Sequence, residues 1–351
     1  MKLEPGTIYF VREQETTGTG FTGLVKIGLV AGERSPYDRL KEHQTGNPRK
    51  LHFDAAQFVQ TRAVKYVESQ LHGRFAAKRV SGEWFTFASQ DEIESAVAVT
   101  RELASSMDAF AEVFAEADRL NMCLSGGPLL AATSEVREIA TRWVFADAIA
   151  QKAENLIDSI SEEIKWQARE YGSDAVAGVL QTIETLQEPA FSVTAFKKAN
   201  PKLWEELADS VPEAWNPKFE VSFESEPDTV TRQTLDALDQ IGETVATAIE
   251  AGDVYQLNEL DLEVRQILSP AEWERDVAEA QLKNFCGEAP GIDGICGWER
   301  RVKMRRKFDP EKLRLEYPAT YQEFTLERRA KKTSIRLPFN RFHESVNGDT
   351  E

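Results

Sequence analysis

Apolar runs, helical stripes and polar breaks follow one another in a readable order over residues 1–90. Gly6 to Val11 (Gly-Thr-Ile-Tyr-Phe-Val) and Val25 to Gly28 (Val-Lys-Ile-Gly) are rich in β-branched and aromatic residues, which predicts two strands. Arg12 to Gly23 between them is polar and holds three glycines, so it predicts a loop and the pair a hairpin. Ser35-Pro36-Tyr37-Asp38 offers an N-cap serine, a proline at the first helical position and an acid in the first turn. It predicts a helix from Tyr37 to about Gln44 that stops at Thr45-Gly46-Asn47-Pro48. Arg39 and His43 are four apart and share a face of that helix. Residues 50–59 predict a third strand. Thr61 caps a second helix over about 62–77, where Val64, Val67, Leu71 and Phe75 form an apolar face with Glu68 and His72 beside it. Ser81 to Phe87 (Ser-Gly-Glu-Trp-Phe-Thr-Phe) is a turn entering a short strand, with Trp84 and Phe85 as core.

Beyond Ser89 the period becomes helical. Ile93, Val97, Leu103, Phe110 and Phe114 fall on or near one face from Asp91 to about Leu120. Ser125-Gly126-Gly127-Pro128 is a break. A long amphipathic, acid-rich stretch from Ser134 to about Leu186 is interrupted at Gly172-Ser173 and suggests a bundle or a dimerising arm. Residues 211–230 read as a loop with one short strand, and helices resume over about 229–250 and 254–268. Ser269-Pro270-Ala271-Glu272 opens a further helix to about Phe285. Asp309-Pro310 begins another to about Arg329, and Lys331 to Phe339 reads as a final strand. No internal repeat and no low-complexity tract is evident.

Composition narrows the class. At 351 residues and 41% hydrophobic content, two or three folded domains are expected. The chain shows no signal-peptide pattern at its start and no apolar run of the ~18 residues a membrane helix needs, so a cytoplasmic protein with no membrane partner is expected. Three cysteines (123, 286, 296) make no disulfide framework. Cys286 and Cys296 lie among four glycines with no partner His or Cys pair, which reads as a turn and not a zinc site. Net charge is −17, yet residues 1–88 carry 13 basic against 9 acidic residues and 300–341 carry 14 against 5, which leaves 89–299 at −27. Basic ends around an acidic middle point to polyanion contact at the ends. Arg300, Arg301, Lys303, Arg305, Arg306 and Lys307 crowd the C-terminal segment. They read either as a DNA-backbone surface or as a face that pairs with the chain's own acidic middle.

The order Ile-Tyr, Lys-Ile-Gly, Arg-x-x-x-His on a helix, a helical Glu and Gly-Glu-Trp-Phe resembles the GIY-YIG nuclease superfamily, in the phage and bacterial branch with a Lys-Ile-Gly second motif and a Glu-Trp-Phe end. The resemblance covers residues 5–90. It implies an α+β N-terminal module, a three-stranded antiparallel sheet flanked by helices, that hydrolyses phosphodiesters with Mg²⁺ or Mn²⁺. A mostly α-helical region and a small basic C-terminal α/β segment follow. The domains are expected at 1–90, 91–285 (acidic, for homodimerisation or a protein partner) and 286–351. The family's roles fall on Tyr9, Arg39, His43 and, for the metal, Glu68. Lys26 stands where many relatives have a second tyrosine, and their late asparagine has no clear match. Residues 294–340 are similar in cadence to the C-terminal part of some phage recombination exonucleases of the lambda-exonuclease-like group, without that group's catalytic motifs.

The residue types suit the chemistry. A phenol with a reference pKa of ~10 is a poor base unless a cation stabilises its phenolate, and Lys26 is the expected cation. Arg39 offers a planar fork for phosphate oxygens, Glu68 a hard ligand for one Mg²⁺, and His43 a means to orient water or touch the phosphate. His72 is expected to be structural. The function expected is a metal-dependent DNA endonuclease of phage biology, restriction or anti-phage defence. The alternative is a non-catalytic nucleic-acid-binding or regulatory protein that keeps the nuclease fold.

Overall fold

The computed structural model describes residues 3–15, 20–47, 49–171, 179–214 and 218–336. Strands β1 (Gly6–Gln14) and β2 (Phe21–Ala31) pair antiparallel, with Tyr9 opposite Gly28 and Val11 opposite Lys26. Helix α1 (Pro36–Gly46) starts where Ser35 accepts a hydrogen bond from the Tyr37 amide. The predicted strand over 50–59 is two strands, β3 (Leu51–Phe53) and β4 (Val59–Thr61), both antiparallel to β1. Asp54 divides them, because its carboxylate and carbonyl accept from Ala56 and Gln57 and close a tight turn. Helix α2 (Val64–Arg74) and strands β5 (Arg79–Ser81) and β6 (Trp84–Thr86) complete the sheet. It therefore has six strands and not three, in the order β3-β1-β2-β6-β5 with β4 also on β1. The extra strands are three residues each, too short for a periodic signal.

Helix α3 (Gln90–Asp108), capped by Ser89, closes this unit. Its Ile93, Ala96 and Val97 join Val64, Val67 and Leu71 of α2 against Ile8, Phe10, Val25 and Ile27 of the sheet. Burying each large aliphatic side chain contributes roughly 1.5–3 kcal/mol. The apolar residues of β1 and β2 alternate between this core and a second one on the opposite face, where Tyr9, Val11, Val30 and Phe53 meet.

The rest is mainly helical: α4 (Ala111–Leu120), the long α5 (Ser134–Glu170), then β7 (Val179–Phe191), α6 (Val193–Ala199), α7 (Pro201–Leu207), β8 (Ala208–Ala214), β9 (Glu220–Val221), α8 (Thr229–Ala251) and α9 (Val254–Cys286). The apolar stripe of α5 (Ala150, Ala153, Ile157, Ile160, Ile164) is covered by α8 and α9 of the same chain. Helix α9 does not restart at Ser269; it runs through Pro270. The proline lacks an N–H for the helix ladder, but packing of α9 on neighbouring helices, with Ser269 Oγ 2.9 Å from Ser69 Oγ of α2, outweighs that local stop signal. The hairpin β10 (Gly291–Ile292) and β11 (Cys296–Gly297) brings the Cys286 and Cys296 sulfurs to 3.7 Å in a core with Trp298. The chain closes with β12 (Val302–Phe308), α10 (Pro310–Glu316), α11 (Pro318–Glu323) and β13 (Thr325–Arg336). The helix expected from Asp309 to about Arg329 is thus two short ones divided at Pro318, and Thr325 to Arg329 belong to a strand. The stretch expected to be helical up to Leu186 likewise contains β7. The interruption expected at Gly172-Ser173 and residues 337–339 of the final strand lie outside the described residues.

Contrary to the expectation of no internal repeat, the chain contains one. The unit β7-α6-α7-β8 and the unit β12-α10-α11-β13 follow the same plan. Phe191, Phe196, Pro201, Trp204 and Leu207 of the first recur at the same spacing as Phe308, Leu313, Pro318, Tyr321 and Phe324 of the second. The pairing is reciprocal: β13 lies antiparallel to β7 and β12 antiparallel to β8, with Thr325 opposite Phe191 and Phe308 opposite Ala208. The two halves share one core, made of Phe196, Trp204, Phe308 and Leu313 with Phe191, Tyr321 and Phe324. The repeat is hidden because these apolar positions match while most of the polar residues between them differ.

Candidate active site

Tyr9 sits at the centre of the sheet, 1% exposed. Its ring packs edge-on against Phe53, and its hydroxyl lies 3.1 Å from His43 Nε2 on α1. The phenol leans over Gly28 on the neighbouring strand: a Cβ there would stand 2.6 Å from the Tyr9 oxygen. The glycine of the Lys-Ile-Gly run is therefore the space the tyrosine needs. Arg39, one turn before His43, acts on the same phenol by charge and hydrogen bonding, and its guanidinium is also held by Glu42 at 2.7 Å.

Lys26 lies on the same face of β2 as Gly28 and is buried, with its ammonium paired to Glu83 in the turn before β6. The expected Lys26–phenol pairing thus gives way to a Lys26–Glu83 ion pair, and the cation acting on Tyr9 is Arg39. The register explains this: Lys26 stands opposite Val11 of β1 and Trp84 of β6, and Tyr9 stands opposite Gly28.

Glu68 of α2 completes the cluster. Burial, then the nearby Glu83 charge, push its carboxyl up to about 7, against the pull of Lys26 and Arg79. Burial also favours the neutral form of Glu83, but the hydrogen bond and charge of Lys26, helped by His72 and His43, leave that carboxyl below its ordinary range. Burial and the Glu83 charge raise Tyr9 to about 12, with Arg39 opposing. Burial, Lys26 and Arg39 lower His43, so its ring is neutral at neutral pH and Nε2 is free to accept the phenol proton. His72, next on the α2 face, serves the backbone instead. Its Nε2–H donates to the Ile27 carbonyl at 3.1 Å and ties α2 to β2.

Tyr9, Lys26, Arg39, His43 and Glu68, drawn from two strands and two helices, thus act on one another electrostatically. Two members were missed as site residues. Glu83 follows the turn glycine Gly82, and Arg79 is a half-buried cation four residues before it that acts on both Glu68 and Glu83. Glu83 stood in the Gly-Glu-Trp-Phe element without a role being assigned to it, and the only signal for Arg79 was its charge, opposite to that of Glu83, across a turn. Among the described residues no group of three or more His, Cys, Asp or Glu is arranged as a metal cage. That does not exclude Mg²⁺, which is commonly held through one or two carboxylates plus substrate phosphate and water.

The basic C-terminal residues are not one surface. Arg300 departs from the expected DNA-contact role: it is 2% exposed, and its guanidinium donates to the carbonyls of Leu120, Gly287 and Ala289 and stacks on Trp298. A buried guanidinium that donates to three carbonyls from two segments is a structural strut. Arg301 pairs with Glu299 at the surface. Lys303 lies on β12 opposite Glu213. Arg305, Arg306 and Lys307 are exposed along the same strand.

No helix among the described residues is long and apolar enough to cross a membrane. No curated protein matches the chain, and no solved structure does. A family model does: residues 6–101, which span the six-stranded sheet, α1, α2 and most of α3, are similar to the T5orf172 domain.

Proposed function

We propose that the chain is a metal-dependent endonuclease that hydrolyses DNA phosphodiester bonds at the face of the N-terminal sheet. The observation that carries this reading is the Tyr9 phenol held over Gly28 against His43, with Arg39 and Glu68 both acting on it. The match to the T5orf172 domain, a phage-associated domain often linked to nuclease-like proteins, supports a role in phage biology, restriction or anti-phage defence.

A tyrosine raised to about 12 is protonated at neutral pH and needs an outlet for its proton before it can take another. His43 is that outlet. The water loses a proton to the Tyr9 oxygen while Tyr9 passes its own to His43 Nε2, so the tyrosine ends unchanged and the imidazole becomes imidazolium. The hydroxide so formed bonds to phosphorus, the P–O3′ bond breaks, and its electron pair leaves on the 3′ oxygen, which takes a proton from solvent. Arg39 holds two non-bridging oxygens as a fork. Its charge also stabilises phenolate character in passing.

Glu68 fits a divalent ion. It is a hard oxygen donor whose carboxyl, pushed up to about 7 by burial and then by the Glu83 charge, stays partly protonated near neutral pH. When bound, Mg²⁺ supplies charge neutralisation at the phosphate and the leaving oxygen. Lys26 keeps Glu83 ionised and in place, as a positioning residue.

Supercoiled plasmid with Mg²⁺ tests the reading. Tyr9→Phe should lower the nicking rate by about 100-fold or more, the range expected for loss of a positioned proton-transfer group. Undiminished nicking by this variant would refute the role given to Tyr9.

A further inference from the structure

The duplicated C-terminal unit carries a second basic feature that the sequence divides between two distant segments. Helices α6 and α7 and strand β12 wall a trough of 1460 Å³. Lys197 and Lys198 line it from α6, and Arg305, Arg306 and Lys307 from β12; among the described residues no acidic side chain lines it. Trp204 of α7 lies beneath, with Lys197 Nζ 4.0 Å from the centroid of its ring. Lys197 and Lys198 are exposed and make no ion pair among the described residues. The nearest acid in register, Asp209 opposite Lys307, is already paired with Lys312 at 2.5 Å.

The internal repeat supplies a control. At the positions of the other half equivalent to the trough, Glu188 and Glu311 stand with Arg314 and Arg328, an even balance of signs. Arg305, Arg306 and Lys307 correspond to Glu188, Pro189 and Ala190. The β-α-α-β plan therefore folds without the cations, and five of them gathered on one copy are not a demand of the fold.

We propose that this trough binds the phosphate backbone of DNA, with Lys197 and Lys198 of the acidic middle region as contact residues alongside Arg305, Arg306 and Lys307. The inference rests on the reading that the chain acts on DNA, and it adds a holding site separate from the sheet that cleaves. Backbone phosphates suit these groups because point-charge lysines and arginine forks need no base-specific geometry.

The test uses the full chain with Glu68→Gln, so that DNA is bound and not cut, and a fluorescein-labelled DNA duplex of random sequence followed by anisotropy across a salt series. Lys197→Gln with Lys198→Gln should weaken binding by about tenfold or more and lower the slope of log K against log salt by about 2, as expected when two phosphate contacts are lost. Lys197→Arg with Lys198→Arg should restore both. Arg314→Gln, in the equivalent place on the other half, should change neither. Unchanged affinity and slope in the glutamine pair, equal loss in the arginine pair, or the same lysine dependence for an RNA duplex with no binding of DNA would each overturn the proposal. Cleavage is scored separately with Glu68 intact. Lysine-dependent binding without any Mg²⁺-dependent cleavage would remove the nuclease reading and keep the trough, and cleavage with lysine-independent binding would do the reverse.

Discussion

A single missing side chain governs the candidate site. Gly28 gives the Tyr9 phenol room to cross from β1 toward α1, and any Cβ would occupy that room. Gly28→Ala should therefore displace the phenol from His43, cost about 1–3 kcal/mol of stability through overpacking, and lower cleavage by about 100-fold through misplacement. Chemical denaturation and a single-turnover assay read the two effects, and normal cleavage by a stable Gly28→Ala protein would contradict the geometry. Glu68 makes a second residue-scale prediction. Its folded carboxyl, at about 7, holds a proton more tightly than the unfolded one at 4.5. Its contribution is thus most favourable below the unfolded value and is lost as pH rises through about 7. Glu68→Gln should be more stable than the native chain at pH 8 by on the order of 2 kcal/mol, with the difference vanishing near pH 4. Thermal melts at the two pH values without metal check this; equal stability at both would mean that Glu68 is not strained. Tyr9, Arg39, His43 and Glu68 were singled out in the sequence through the resemblance to the nuclease superfamily, and spacing alone placed only Arg39 and His43 on one helix face. The partner of Lys26 was not legible, since nothing local to Val25-Lys26-Ile27 says that the chain returns at Glu83.

At the scale of elements, the helices were readable where an apolar stripe ran for several turns, as in α2, α3, α5 and α8. Strands β7, β8 and β12 were not, because their residues are largely polar and what makes them strands is the ladder to a partner roughly a hundred residues away or more. The same physics hid the repeat. Its signature is a shared core, so truncating either half should be felt by both. Phe196→Ala and Leu313→Ala should each cost about 2–5 kcal/mol, and the double variant less than their sum, since both side chains line one cluster. Denaturant unfolding of the two single variants and the double closes that cycle, and strict additivity would argue against a common core.

Across the whole molecule, charge is sorted by position in the chain and partly reunited by folding. Basic β12 and β13 pair with β8 and β7 of the acidic middle, Lys307 opposite Asp209 and Lys331 opposite Glu184. Lys312 of the positive end pairs with Asp209, Arg300 forms a buried strut, and Arg305, Arg306 and Lys307 line the trough. The proposed division of labour has the sheet cut and the duplicated unit hold. Helix α9 links the N-terminal unit to the rest, because it touches α2 through Ser69 and Ser269 and buries one face in the α5–α8 core. Cleavage at the sheet is tested most directly by incubating end-labelled duplex DNA with the full chain, with and without Mg²⁺, and identifying the new termini. Mg²⁺-dependent breaks with 3′-hydroxyl and 5′-phosphate ends are expected, and they should disappear in Glu68→Gln. Breaks that persist in that variant, or intact DNA with the native chain across single-stranded, duplex and branched substrates, would contradict a nuclease centred on Tyr9 and Glu68.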